Sequence, residues 1–218
     1  MKGPLPGHAQ LDDFLAAEEH RALLDWVLGN EDRFAPATVT SGTAGSGVTV
    51  DPDERIALTL RDLGPLQAMI EDRLMAALPY LRHATGTGGP MPQSLELELA
   101  AHGDGAHFVP HLDMSYGTDR RVVGGRPGAR EDRLLSGVLY FHVEPKAFSG
   151  GQLHLYRVGG NPGEAGPDDR VEIEPRQNSL AVFPSWALHE VRTVHCPSKA
   201  FHDYRFALNC WFCASLSA

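Results

Sequence analysis

Two periodicities divide the chain. In LDDFLAAEEHRALLDWVL (11–28) the apolar residues Leu11, Phe14, Leu15, Leu23, Trp26 and Val27 recur at the spacing that gives a helix one buried stripe. Asp12 or Asp13 stands where a cap is needed, and Gly29-Asn30 supplies the stop. Leu66, Met69, Ile70, Leu74, Ala77 and Leu78 predict a second helix from Pro65 to Leu81. Between the helices lie a short extended piece near Phe34–Thr40 and a flexible loop, SGTAGSG (41–47). The Gly/Pro-rich segment ATGTGGPMP (84–92) ends this part.

After Gln93 the pattern alternates. Strands are predicted at Leu95–Ala101, His107–Met114, Leu134–Val143, Gln152–Arg157, Arg170–Ile173, Ser179–Phe183, Glu190–His195 and Arg205–Cys213. Short strands between Gly/Pro turns indicate a sandwich or barrel, and connections of unequal length favour a jelly roll. The expected fold class is mainly β with flanking helices (α+β): a jelly roll with the N-terminal helices packed on one sheet. FALNCWF (206–212) has the apolar character such a covered strand requires. The chain reads as a single domain, 1–218, in which 1–93 forms a helical support layer and 94–218 the β core.

Composition narrows the function. At 218 residues with 42% hydrophobic content the chain buries a core without disulfides or structural metal. A net charge of −9 argues against broad binding of nucleic acid, and no apolar run reaches the ~20 residues of a membrane span. Three cysteines, an odd and sparse set, fit a reducing compartment. MKGPLPGHAQ lacks the apolar core of a signal peptide, so the expected location is cytoplasmic. Cys210 and Cys213 fall on opposite faces of a strand and read as plainly buried.

Eleven histidines prompt a search for metal ligands. His-x-Asp occurs twice. His111-Leu112-Asp113 ends an extended run, where residues two apart share a face and an imidazole and a carboxylate converge. His102-Gly103-Asp104 sits in a Gly-rich stretch and reads as a turn. His189, between two strand-like runs, offers the third ligand. Two histidines and one carboxylate form the facial triad of non-haem Fe(II) oxygenases, although the same set also suits Zn, Mn or Ni. His107, His142, His154, His195 and His202 form no second converging set. Arg205 opens the last strand, and if it points inward, Ala207, Asn209 and Trp211 do too. A buried guanidinium calls for an anion, and a dicarboxylate held at its other end by the metal supplies one. Tyr140 is placed to donate a hydrogen bond to the same carboxylate.

The ordered set His111-Leu112-Asp113, LYFHV (139–143), SGGQLHLY (149–156), His189-Glu190-Val191 and RFALNCW (205–211) resembles the prolyl-4-hydroxylase-like branch of the iron(II)/2-oxoglutarate-dependent dioxygenases. The resemblance runs through residues 95–213. It implies a double-stranded β-helix, with His111, Asp113 and His189 as iron ligands, Arg205 and Tyr140 for the distal carboxylate of 2-oxoglutarate, and Leu153 and Val191 as walls of the cosubstrate site. It implies Fe(II), 2-oxoglutarate and O2, with ascorbate as an accessory reductant. Asp113 favours hydroxylation, since related halogenases carry a small residue there. The sequence departs from the branch at His102, near where these enzymes often place a cosubstrate-contacting Tyr. HCPSKAFHD (195–203) lengthens the interval from His189 to Arg205. Lys199 lies nearer the common spacing, but Arg205 keeps the six-residue offset to Trp211, which leaves Lys199 the lesser candidate.

The reading is therefore a hydroxylase acting on an unactivated C–H of a peptidyl residue, prolyl in kind, or of an amino-acid-like small molecule. The expected partner is that peptide, protein or small-molecule substrate, with no nucleic acid and no membrane, and the chain a monomer or homodimer. The Arg-rich segment SYGTDRRVVGGRPGAREDR (115–133) reads as a lid or a solvated loop, and VGGNPGEAGPDD (158–169) as a connector or a rim. The competing readings are a non-catalytic jelly-roll module that binds a carboxylate ligand, and a cupin-like metal-dependent hydrolase or isomerase.

Overall fold

The C-terminal strand Arg205–Ser215 organises the molecule through its alternation. Phe206, Leu208, Cys210 and Phe212, all fully buried, face one way into the larger hydrophobic core. Arg205, Asn209 and Trp211 face the other way and line a cavity. In the computed structural model, which describes residues 3–40, 48–114 and 131–215, this strand is central in a seven-stranded sheet. The order is Ala9–Leu11, Ser179–Pro184, Glu131–Phe141, Arg205–Ser215, Ser94–His102, Leu58–Leu60, Ala35–Pro36. A five-stranded sheet, ordered Arg170–Ile173, Leu153–Tyr156, His189–Val191, His107–His111, Arg55–Ile56, forms the second layer. All pairings in both sheets are antiparallel. The two sheets are the open layers of a double-stranded β-helix, and the barrel is not closed by a continuous ladder.

Two helices cover the outer face of the large sheet. Ala17–Leu28 buries Leu23 and Val27, and Gln67–Thr85 buries Ile70, Leu74, Leu78 and Leu81. These residues share one core with Leu99, Leu139, Phe206 and Leu208. Burying a Leu or Phe side chain contributes about 1.5–3 kcal/mol, so this layer carries much of the fold's stability. Among the described residues no helix is long and apolar enough to cross a membrane.

Both helices differ from the sequence pattern at one end. The first begins at Ala17 rather than Leu11, because Ala9–Leu11 pairs with Ser179–Pro184, Leu11 opposite Leu180. Neither Asp12 nor Asp13 caps it; Ala16 occupies that place, and its backbone N–H donates to the Glu19 carboxylate at 3.1 Å. The second continues to Thr85, and Gly86 ends it in the left-handed conformation (φ 66°) that glycine adopts without a Cβ penalty. The strand expected at Glu190–His195 divides into His189–Val191 and Val194–His195. The latter pairs with Ser149–Gly150. All three cysteines are buried, with Cys210 in the large core and Cys213 near Glu96. The loop at 41–47 and residues 115–130 of the Arg-rich segment lie outside the described residues.

Candidate active site

Two neighbouring strands of the small sheet bring the ligand candidates together. His189 pairs in register with His111, and strand alternation points both imidazoles toward the large sheet. Asp113 lies two residues past His111, just beyond the strand end, with its backbone N–H bonded to the Ser185 carbonyl at 3.1 Å. His111 Nε2 lies 3.8 Å from Asp113 Oδ1, and His189 Nε2 lies 3.6 Å from Asp113 Oδ2. One donor atom from each of the three residues falls within 4.8 Å of the others, the grouping a single metal ion needs.

The surroundings fix the donors. His111 Nδ1 sits 2.8 Å from the Val109 carbonyl, and His189 Nδ1 sits 2.8 Å from the Ala187 carbonyl. A carbonyl only accepts, so both protons are on Nδ1 and both Nε2 lone pairs are free to ligate. Phe108 stacks on His111 at 3.5 Å, and Phe183 meets His189 edge-on at 4.7 Å. Ser136 donates to Asp113 Oδ2 at 2.5 Å and lies 2.9 Å from the Ser185 hydroxyl. Burial works against ionisation of Asp113, but the two imidazoles, Arg133 and the Ser136 hydroxyl outweigh it and hold the carboxyl down at about 2. Burial, reinforced by His189, holds the His111 imidazole down at about 3. The site therefore offers two imidazole nitrogens and a carboxylate, a donor set that fits a divalent transition metal.

Arg205 stands on the facing sheet, lines the same cavity and is 1% exposed. Its guanidinium lies over the Tyr140 ring, 4.8 Å from the centroid. Gly151, at φ 73°, makes room behind it: a Cβ there would come within 2.6 Å of Arg205 Cδ. Arg205 Nε and the Tyr140 hydroxyl are both sealed from solvent and lack a hydrogen-bond partner. A buried cation and an orphaned phenol together call for an oxyanion. Leu153 and Val191 pair across their strands and line the cavity. Lys199, the lesser candidate, stands at the surface with its side chain 72% exposed, 3.9 Å from Asp104, and does not line this cavity.

The turn expected at His102-Gly103-Asp104 is only partly a turn. His102 is the last residue of Ser94–His102, is 4% exposed, and takes a hydrogen bond from Arg205 Nη1 at 3.0 Å. Burial, with the charges of Arg205 and Arg55, holds its imidazole well below the ordinary range. The sequence conceals this because only the cross-strand register, Arg205 opposite His102, brings the two together. Arg55 is a second residue that periodicity did not reveal: it lines the cavity and donates to Glu98 at 2.9 Å. Its strand, Arg55–Ile56, is two residues long and carries no readable period. At the rim, Arg133 donates to Glu96 at 2.5 Å and covers the Trp211 ring at 3.9 Å.

Comparison with known proteins places this geometry. Over 210 residues the chain is 29% identical to an uncharacterized PKHD-type hydroxylase of Synechocystis sp., a match that takes in 95% of this chain and 63% of the relative. The chain thus spans less than two thirds of that relative's length. A crystal structure of a Pseudomonas putida prolyl-4-hydroxylase superposes with a TM-score of 0.60 at 26% identity, covering 95% of this chain and 92% of that one. A Trichoplax adhaerens prolyl hydroxylase, solved in complex with a hypoxia-inducible-factor oxygen-degradation-domain peptide, gives 0.62 at 19% identity, covering 95% and 83%. The profile of the 2OG-Fe(II) oxygenase superfamily matches residues 97–213, the stretch that carries every candidate ligand, Tyr140 and Arg205. The chain belongs to the 2OG-Fe(II) oxygenase superfamily, enzymes whose cofactors are iron(II), 2-oxoglutarate and dioxygen.

Proposed function

We propose that this protein is an Fe(II)- and 2-oxoglutarate-dependent hydroxylase of a peptidyl residue, prolyl in kind. The observation that carries the reading is one cavity holding both ends of a cosubstrate site. Three metal-ligand atoms lie within 4.8 Å of one another on the small sheet, and a buried arginine faces them from the large one. In this reading His111, Asp113 and His189 hold the iron, and Arg205 with Tyr140 takes the distal carboxylate. Iron(II), when bound, supplies the activation of dioxygen and the oxidative decarboxylation of 2-oxoglutarate to succinate and carbon dioxide.

The chain's own residues do the rest. The Val109 and Ala187 carbonyls fix the tautomers of His111 and His189. Ser136 orients Asp113. Leu153, Val191 and Phe183 line the cavity with apolar surface and keep water from the reacting centre. On the open side, Val138, Asn209 and Trp211 line the same cavity, and the indole, steadied by Arg133, offers a flat apolar wall for a ring-bearing substrate residue. The peptide assignment draws on the two prolyl hydroxylases above, one of them bound to a peptide. An amino-acid-like small molecule is the narrower alternative.

The test is turnover. Purified protein with Fe(II), 2-oxoglutarate and O2 is incubated with a proline-containing peptide library, with the free amino acids in parallel. Succinate formed together with a 16 Da gain on a peptide supports the assignment. The gain on free amino acids alone would replace it with the small-molecule reading, and metal-independent activity would reject both.

A further inference from the structure

Among the described residues three arginines surround the cavity or its rim, and two of them pair with carboxylates. Arg55 pairs with Glu98 at 2.9 Å, and Arg133 pairs with Glu96 at 2.5 Å. Arg205, the most deeply buried of the three, has a neutral partner instead: His102 Nδ1, 3.0 Å from Nη1. Among the described residues no carboxylate pairs with Arg205. A guanidinium only donates, so Nδ1 accepts and the imidazole carries its single proton on Nε2. An imidazolium there would lose the acceptor and set two cations side by side.

We propose that His102 is a positioning residue that fixes the Arg205 guanidinium without neutralising it, and so keeps its full charge for the distal carboxylate of the cosubstrate. Aspartate or glutamate at this place would hold Arg205 as firmly but would satisfy its charge internally, and an incoming carboxylate would have to compete. An apolar residue would leave the charge uncompensated but the fork unoriented. A neutral acceptor meets both requirements. His102 lies directly across the strand pair from Arg205, while Gly151 and the Tyr140 ring confine the guanidinium from other sides. The inference rests on the reading that Arg205 binds the distal carboxylate, and it adds a requirement that this reading does not contain.

The experiment is a series at position 102, read by calorimetry of 2-oxoglutarate binding to the Mn(II)-loaded protein without oxygen. 2-Oxobutyrate, which has the same keto-acid end and no distal carboxylate, is the control. A charge-assisted hydrogen bond is worth about 1.5–3 kcal/mol and tenfold in affinity is 1.4 kcal/mol. His102→Phe should therefore weaken 2-oxoglutarate by about tenfold, and His102→Asp by about a hundredfold. His102→Asn, whose amide oxygen still accepts, should recover most of the loss. None of the three should change 2-oxobutyrate or Mn(II) binding, which a merely structural role would disturb equally. If His102→Asp binds 2-oxoglutarate as tightly as the parent, or if all three variants weaken both keto acids alike, the inference falls. Arg205→Ala separates the layers. Weakened 2-oxoglutarate in Arg205→Ala with an indifferent position 102 overturns the inference alone; no effect in Arg205→Ala overturns the underlying reading as well.

Discussion

Two histidine–carboxylate clusters stand back to back on the small sheet, sharing the strand His189–Val191. His189 and Glu190 are consecutive, so they project to opposite faces. On the inner face His189 meets His111 and Asp113. On the outer face Glu190 meets His154, Tyr156 and Arg192. Each holds a buried imidazole beside carboxylate, His189 inside and His154 outside, yet only one is a candidate metal centre. The outer histidine is used up: Nδ1 lies 3.2 Å from Glu190 and Nε2 lies 2.8 Å from Glu172. Glu190 is equally committed, accepting from Tyr156 at 2.5 Å and from Arg192 at 3.1 Å. On the inner face each imidazole spends one nitrogen on a carbonyl and points the other at its neighbours. Unspent lone pairs aimed at a common point mark a binding site, and residue types alone do not.

The comparison breaks first at the ligands. If Asp113 is the ligand proposed, Asp113→Ala should abolish metal binding and turnover, because losing a direct ligand must exceed the roughly 10–100-fold effect of losing an outer partner. Equilibrium dialysis with Fe(II) under argon measures the first and succinate release the second. Retained metal affinity would make the inner cluster as inert as the outer one. Ser136→Ala is the graded version. Without the hydroxyl that fixes Asp113 Oδ2, metal affinity should fall by about 10–100-fold while the fold persists.

Acid should strain the inner cluster next. His111 is held at about 3 in the folded protein against an ordinary value near 6.5, so between those limits the unfolded chain binds the extra proton. Asp113 is held at about 2 against 3.8, which acts in the same direction at lower pH. Stability of the metal-free protein should thus be full above about pH 6.5 and fall as pH drops, by at most about 1.4 kcal/mol per pH unit for one proton. Urea midpoints from pH 7.5 to pH 4.5 measure the slope. His111→Gln should reduce it by up to one proton's share, with the remainder left to other depressed imidazoles such as His102, and an unchanged slope would refute the assignment.

The two clusters also differ in how far the sequence displays them. The inner one is legible: His111 and Asp113 stand two apart at a strand end, and the parity of RFALNCW places Arg205, Asn209 and Trp211 on one face. That inference needs only local periodicity. What stays hidden depends on register between distant strands. His102 looks like part of a Gly-rich turn until it is set opposite Arg205. Leu11 looks helical until Leu180 claims it for a sheet. Strands of two residues, such as Arg55–Ile56 and Ser149–Gly150, are too short to show a period, though one supplies a cavity arginine and the other leads into the Gly151 that gives Arg205 its room.

The smallest expected effect is the most discriminating, because it tests whether the outer cluster is purely structural. His154→Gln keeps an acceptor and a donor but cannot span both Glu172 and Glu190 as the imidazole does. One charge-assisted hydrogen bond is then lost, and stability should fall by about 1.5–3 kcal/mol less what the amide recovers, or about 1 kcal/mol. Glu190 keeps Tyr156 and Arg192, so the strand should hold His189 where it is. Metal affinity should remain within about twofold, a change of under 0.5 kcal/mol. If instead metal affinity falls as far as in Ser136→Ala while the unfolding midpoint barely moves, the two faces are coupled through the peptide between His189 and Glu190. The outer network would then belong to the ligand-orienting shell of the site rather than to the stability of the sheet.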